Sequence, residues 1–346
     1  MRHLSSALRP YALALLLAFT AAVVAIAVAV AYDLPLRDPD GVAGPAYVRL
    51  PGAVLVMVLL DVVPRALYRR VGLRTVLRER YGPGRMALVA VGLAAFYVSY
   101  VSYRNLKGAL PLARPRVFDA ELIAADRLLT FGNDPAVLLH DLLGTGVSAH
   151  VLSAVYIGFL GFVPVSLGIA LVWSRSVWMG AWYVTAMCLN WVLGALSYYL
   201  VPSLGPVFDH DQPFTGLPAT GASSLQQSLA TARLEVIADP HGADVIAGVA
   251  GFASLHVSIT FTAALIAHRI ALPRLIRWTM WVFLGLTIIA TLYFGWHYIL
   301  DDIAGLGLGA LAVTVAQRAT RRISTDRELA LVEPMGTASL QDSAAA

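Results

Sequence analysis

Two short segments carry the residue types and spacings that could do chemistry. GFASLHVS holds Ser254 and His256, and YFGWHYILDDIAG holds His297 with Asp301 four residues later. On a helix that spacing places His297 and Asp301 on one face, one turn apart. A carboxylate there holds one imidazole nitrogen and leaves the other free as nucleophile or base. With His256 to protonate a leaving group, the set is a minimal kit for phosphoryl transfer through a phosphohistidine. The start of the span near Ser254 adds a helix N-terminus, whose unpaired backbone N–H groups and positive dipole end suit a phosphate. A bland alternative makes Trp296, His297 and Tyr298 an aromatic interfacial belt with the aspartates merely touching water. His256, on a different span but the same expected side, argues against it.

These residues must be positioned within a bilayer. Hydrophobic residues make up 58% of the chain and charged residues 13%, which excludes an ordinary soluble domain and points to an integral membrane protein. Apolar runs of about 20 residues predict spans near 10–31, 46–64, 86–103, 148–172, 177–201, 254–272, 276–294 and 297–317. The expected fold is therefore all-α, a polytopic transmembrane helical bundle of about eight spans with both chain ends on one side.

The arginines set the orientation. Arg65, Arg69, Arg70, Arg74, Arg78, Arg80 and Arg85 fill one connector, and Arg269, Arg274 and Arg277 another. Arg318, Arg321, Arg322 and Arg327 fill the tail, and Arg2, Arg9 and Arg175 fall on the same side. The positive-inside rule makes that side cytoplasmic. The net charge of +4 is thus a topology signal rather than a nucleic-acid footprint. Segments 32–45, 104–147 and 202–253 then lie outside, the first with Asp33, Asp38 and Asp40, the third with Asp209, Asp211, Glu235, Asp239 and Asp244. Ser254, His256, His297 and Asp301 all fall at outer ends of spans, so the chemistry is expected to face away from the cytoplasm. Lys107 is the only lysine among 25 basic residues, a bias expected of a GC-rich bacterial genome and hence of a bacterial plasma membrane.

Four parts are expected: N-terminal spans with a basic cytoplasmic loop (1–103), an outer loop of short interfacial helices (104–147), a catalytic helical core with the outer loop 202–253 (148–320), and a disordered cytoplasmic tail (321–346). Arg2 and Arg9 before the first span, and Ala29-Val30-Ala31 near its end, resemble a signal peptide; its apolar core of about 20 residues is too long for one and reads as an uncleaved anchor. Cys188 is the single cysteine, so no intramolecular disulfide and no cysteine metal site is expected. Asp61 is expected to pair with Arg65, and Asn190 to bond between helices. His241 with Glu235, Asp239 and Asp244 lacks metal-site spacing.

The two segments resemble the motifs of the type 2 phosphatidic acid phosphatase superfamily, and more closely its inositol phosphorylceramide synthase-like branch. The family's Pro-Ser-x-His is similar to Ala253-Ser254-Leu255-His256, with alanine for proline. Its third motif, ending in His, three residues and Asp, is similar to His297-Tyr298-Ile299-Leu300-Asp301, and Asp302-Ile303-Ala304-Gly305 follows in the family's manner. The resemblance implies a six-helix core, with His297 as nucleophile, Asp301 orienting it, His256 protonating the departing oxygen and Ser254 contacting phosphate. It also implies a lipid phosphate or phospholipid substrate, a hydroxyl acceptor such as inositol, or water, and no cofactor or metal. The phosphatases carry an arginine six residues before that histidine; this chain has Ala290-Thr291 where they have Ser-Arg, which removes a bidentate phosphate ligand. Lys107 and Arg114-Pro115 match the spacing of the first phosphatase motif but lie much farther from His256 than the family usually places it. Arg104, Lys107 and Arg114 are either phosphate clamps brought over the site by the outer loop or headgroup anchors. A rival of another class is a transporter or scaffold with degenerate motifs, in which His297 and Asp301 couple protons.

Overall fold

The structure, a computed structural model, describes residues 9–39, 44–174, 176–209, 212–242 and 248–331, the side chains as far as 321. Arg2, Asp40, Arg175, Asp211, Asp244, and the side chains of Arg322 and Arg327 fall outside it. The described chain is all-helical. We label the helices α1 (Ala12–Ala31), α2 (Ala46–Arg69), α3 (Leu73–Arg80), α4 (Pro83–Ala113), α5 (Asp119–Leu129), α6 (Pro135–Leu143), α7 (Val147–Gly168), α8 (Val177–Leu200), α9 (Pro206–Asp209), α10 (Gly221–Ala238), α11 (Leu255–Arg269), α12 (Arg274–Tyr293) and α13 (Ile299–Leu331).

Among the described residues seven helices are long and apolar enough to cross a membrane: α1, α2, α4, α7 with its continuation to Trp173, α8, α12 and α13. Together they mark an integral membrane protein. One of the eight expected runs falls short of that length. The eighth run forms α11, which has only 15 residues, about 22 Å against a hydrocarbon core of about 30 Å. It stops three residues before the expected end at 272, and the chain enters it through a non-helical stretch in which Val249, Ala250, Ala253 and Ser254 are all buried. Irregular backbone is tolerated at such depth only when enclosed by protein. The serine–histidine segment is therefore recessed into the bundle.

Helix α8 is the central rod, 78% of its apolar window being buried, and it packs on α13, α4, α11 and α1. Apolar surface gains little from leaving lipid, so close packing and interhelical hydrogen bonds carry the association. Asn190 of α8 supplies such bonds, donating to Thr262 Oγ1 at 3.0 Å and accepting from Ser258 Oγ, both on α11. Gly305 and Gly309, one turn apart on α13, face α11. A Cβ at Gly305 would collide with the Ser254 carbonyl, and one at Gly309 would lie 2.7 Å from the Ser258 carbonyl. The two helices that border the candidate site touch backbone to backbone through this stripe.

Two predicted boundaries move. Helix α4 runs on to Ala113, so Arg104 and Lys107 lie on a span and not in the outer loop expected from residue 104; buried Leu106, Gly108, Ala109 and Leu110 extend its apolar face. Helix α13 runs to Leu331, past the expected start of the tail at 321. Residues 332–346 lie outside the described residues. Segment 202–253 is not a plain loop, since it folds α10 behind a Thr220–Ser223 capping box.

Candidate active site

His297 sits in the turn between α12 and α13, two residues before the latter begins. Gly295, at φ +64°, makes that turn, in a conformation that costs glycine nothing. The expectation of a shared helical face is thereby corrected: His297 is not on the helix. Asp301, the third residue of α13, instead reaches back over the helix start. Its Oδ2 lies 3.3 Å from His297 Nδ1 and accepts the Tyr298 N–H at 3.0 Å, the carboxylate half of a capping box. The four-residue spacing delivers the predicted contact through a helix cap rather than a helix face. Asp301 is fully buried and His297 nearly so, and Asp301 Oδ1 has no hydrogen-bond partner among the described residues.

Ser254 caps α11, its Oγ accepting from Val257 N at 3.4 Å. Its own N–H donates to the Asp301 carbonyl at 2.9 Å, which ties the two sequence segments together directly. His256 then projects from the first turn of α11 against an aromatic wall on α7. Its ring stacks on Tyr156 with centroids 4.4 Å apart and rests on Phe159 at 4.3 Å, while Tyr156 stacks on Trp296 at 4.8 Å. The His256 and His297 rings lie 5.9 Å apart, inclined at 60°. Two imidazoles, one from the first turn of α11 and one from the turn before α13, therefore converge on one spot.

The candidate cations divide. Lys107 belongs to the cluster: its Nζ stands 5.4 Å from the centre of the Tyr198 ring, and its charge is felt at His256. The residue 248 backbone packs on its carbonyl, where a Cβ at Gly248 would collide. Arg104 is one turn earlier on α4. Arg114 is exposed beyond the end of α4, and no contact joins it to the histidines among the described residues. At the position of the missing family arginine, Thr291 donates to Asp302 Oδ2 at 2.9 Å, so a buried hydroxyl–carboxylate bond fills that space.

The sequence reading missed two carboxylates of α5. Asp119 accepts from the Leu204 and Gly205 N–H groups and from the Tyr298 hydroxyl, each at 2.9 Å. Asp126 accepts the Ile299 N–H with both oxygens, at 3.0 and 3.2 Å, and so caps α13 from another helix. Both are buried. Burial raises the Asp126 carboxyl to about 7; the Ile299 N–H opposes this, and the nearby charges of Asp301, Asp134 and Asp302 add to it. Burial also raises Asp119, against the pull of its three donors. In DAELIAADRLL these aspartates read as the polar face of an interfacial helix; the one available signal was their seven-residue separation, two turns on one face. A shallow recess opens beside His297, bordered by Ile123, Asp126, Arg127, Asp134, Leu292 and Tyr298.

Compared with known proteins, residues 120–315 match the family model described as the PAP2 superfamily. No curated protein and no solved structure matches the chain.

Proposed function

The chain belongs to the PAP2 superfamily, whose members act as phosphatases or phosphotransferases on lipid phosphates, and from that premise we propose a membrane phosphotransferase working through a phosphohistidine. The observation that carries the reading is the pairing of His256 and His297 at 5.9 Å with Asp301 on the Nδ1 side of His297. Asp301 holds Nδ1 as the protonated nitrogen, which leaves the Nε2 lone pair to attack phosphorus. As the N–P bond forms, the P–O bond to the leaving alcohol breaks and protonated His256 gives its proton to that oxygen. An acceptor hydroxyl then attacks the phosphohistidine, neutral His256 takes the acceptor's proton, and His297 departs with its lone pair.

Lys107 and Arg104 on α4 offset the phosphate charge, and Ser254 with the N-terminal dipole of α11 contacts the phosphate oxygens. Arg114 serves the headgroup region. The site lies at the helix ends opposite the arginine-rich connectors, so the reaction takes place on the extracytoplasmic face. The phosphatases' extra arginine is replaced by Thr291 and its bond to Asp302. This favours an acceptor hydroxyl on a polyol or lipid, as in the inositol phosphorylceramide synthase-like branch, over water.

The test incubates detergent-purified protein with phospholipids labelled in the headgroup phosphate, with and without inositol or a lipid alcohol. A new labelled conjugate that requires the acceptor is the expected product. Free phosphate or phosphoalcohol alone makes the protein a hydrolase. Neither product from any donor, with folded protein, refutes the catalytic reading and leaves the proton-coupled transporter. Asp301→Asn is expected to slow turnover by about 10²-fold or more with the fold intact.

A further inference from the structure

We infer that Asp119 is a positioning residue for this site: one buried carboxylate on α5 links the His297 turn to the Ser203–Gly205 segment, which in turn holds the backbone leading into His256, and so sets the separation of the two rings. The inference rests on the phosphoryl-transfer reading and deepens it. On one side Asp119 Oδ1 accepts the hydroxyl of Tyr298, the residue that follows His297, at 2.9 Å. On the other side the same carboxylate accepts the N–H groups of Leu204 and Gly205.

From there the connection to His256 is short. Ser203, next to Leu204, accepts the Gly251 N–H on its carbonyl at 2.8 Å and the Phe252 N–H on its hydroxyl at 2.9 Å. Ser254 caps α11 two residues later. The contacts leave no slack: a Cβ at Gly205 would lie 2.5 Å from the Trp296 carbonyl, and one at Gly251 would lie 3.0 Å from Asp301 Oδ2. Asp126, two turns along α5, grips Ile299 as Asp119 grips Tyr298. The pair holds consecutive residues immediately after the nucleophile.

A simpler role for Asp119 would be local, as an acidic residue in the first turn of its own helix. The geometry argues otherwise, because its oxygens are turned onto segments 85 to 179 residues away in sequence. A buried carboxylate costs several kcal/mol unless its bonds are all made. Here three donors converge on it, two from Leu204 and Gly205, beside the Ser203 that holds the stretch toward His256, and one from the His297 turn.

Orthovanadate, which adopts the five-coordinate geometry of phosphoryl transfer, is the probe, titrated against purified full-length protein in detergent, with the unfolding temperature measured on each sample. Tyr298→Phe removes only the hydroxyl, and Asp119→Asn keeps an acceptor while losing the charge. Each is expected to weaken vanadate binding by about 10- to 100-fold, the loss found when partners behind a site's direct ligands are removed, at an unchanged unfolding temperature. Asp119→Asn is expected to bind better than Asp119→Ala. Wild-type affinity in both conservative variants, or losses that only track unfolding, overturns the inference. His297→Ala separates the two claims: if it abolishes vanadate binding while both conservative variants match wild type, the positioning role alone falls. If wild type fails to bind vanadate, or His297→Ala binds it normally, the phosphoryl-transfer reading falls and takes the inference with it.

Discussion

The two ends of the bundle each bury carboxylates, and they satisfy them by opposite means. At the arginine-rich end, Asp61 accepts from Arg65 Nε at 2.9 Å, Arg80 Nε at 2.7 Å and the Tyr81 hydroxyl at 2.9 Å. That carboxylate meets charge with charge, and the cluster joins α2 to α3 and to the turn before α4. At the histidine end Asp119, Asp126 and Asp301 take backbone N–H groups and a tyrosine hydroxyl, and Asp301 keeps one oxygen without a partner among the described residues. A cluster that neutralises itself has nothing left for a ligand. A cluster that fixes backbone and engages only Nδ1 of the His297 ring has capacity for one, and its cations, Lys107 and Arg104, stand to one side on α4.

Substitutions at both ends sharpen that contrast. The largest effect is expected from His256→Ala, which should lower turnover of an alkyl phosphate ester by about 10² to 10⁴-fold. The same variant should lose far less on an aryl phosphate, whose phenolate leaves without a proton. Equal losses on both esters would remove His256 from the acid role. Gly305→Ala comes next. The new Cβ meets the Ser254 carbonyl and should push α11 from α13, costing about 1–3 kcal/mol and lowering activity; a silent substitution would mean that this contact does not set the spacing of the two motifs.

Asp126 gives a pH signature. Its folded-state value of about 7 lies above that of an ordinary carboxyl, so the folded form holds the proton more tightly than the unfolded one. Its favourable contribution is complete below about pH 4 and is lost as pH rises through about 7. The groups around it are Asp134, Asp301, Asp302, Arg127 and His297. Thermal unfolding in detergent should therefore show stability falling across that window, with a shallower fall in Asp126→Asn. The smallest effect belongs to the other end: Asp61→Ala should cost about 1 kcal/mol, because both arginines are half-exposed, and should leave turnover unchanged. Loss of activity there would dissolve the distinction between the two clusters.

How far the sequence carries depends on the range of the forces involved. Spans were legible because burial in lipid acts on runs of about 20 residues, and α1, α2, α7, α8 and α12 lie where those runs do. Helix α11 was over-extended at its far end, because Ile270, Ala271 and Leu272 are as apolar as the helix they follow. His297 and Asp301 were legible from spacing alone, since a helix cap and a helix face both bring residues i and i+4 together. Lys107 was found but placed in a loop, because the apolar run of α4 thins before its helix ends. Asp119 and Asp126 were not legible. Their partners, Leu204, Gly205, Tyr298 and Ile299, are brought to them by tertiary packing, and no local pattern announces a carboxylate that caps another element. The Gly305 and Gly309 stripe was readable as a small-residue spacing, but its partner was not.

The central claim is that His297 forms a bond to phosphorus. Rapid acid-free quenching of the protein with a phospholipid labelled at phosphorus, followed by peptide mapping, tests it directly. The account predicts an acid-labile, base-stable label on the peptide containing His297, absent from His297→Ala and longer-lived in His256→Ala. Turnover that proceeds with no labelled protein, or with the label on another residue, would contradict it.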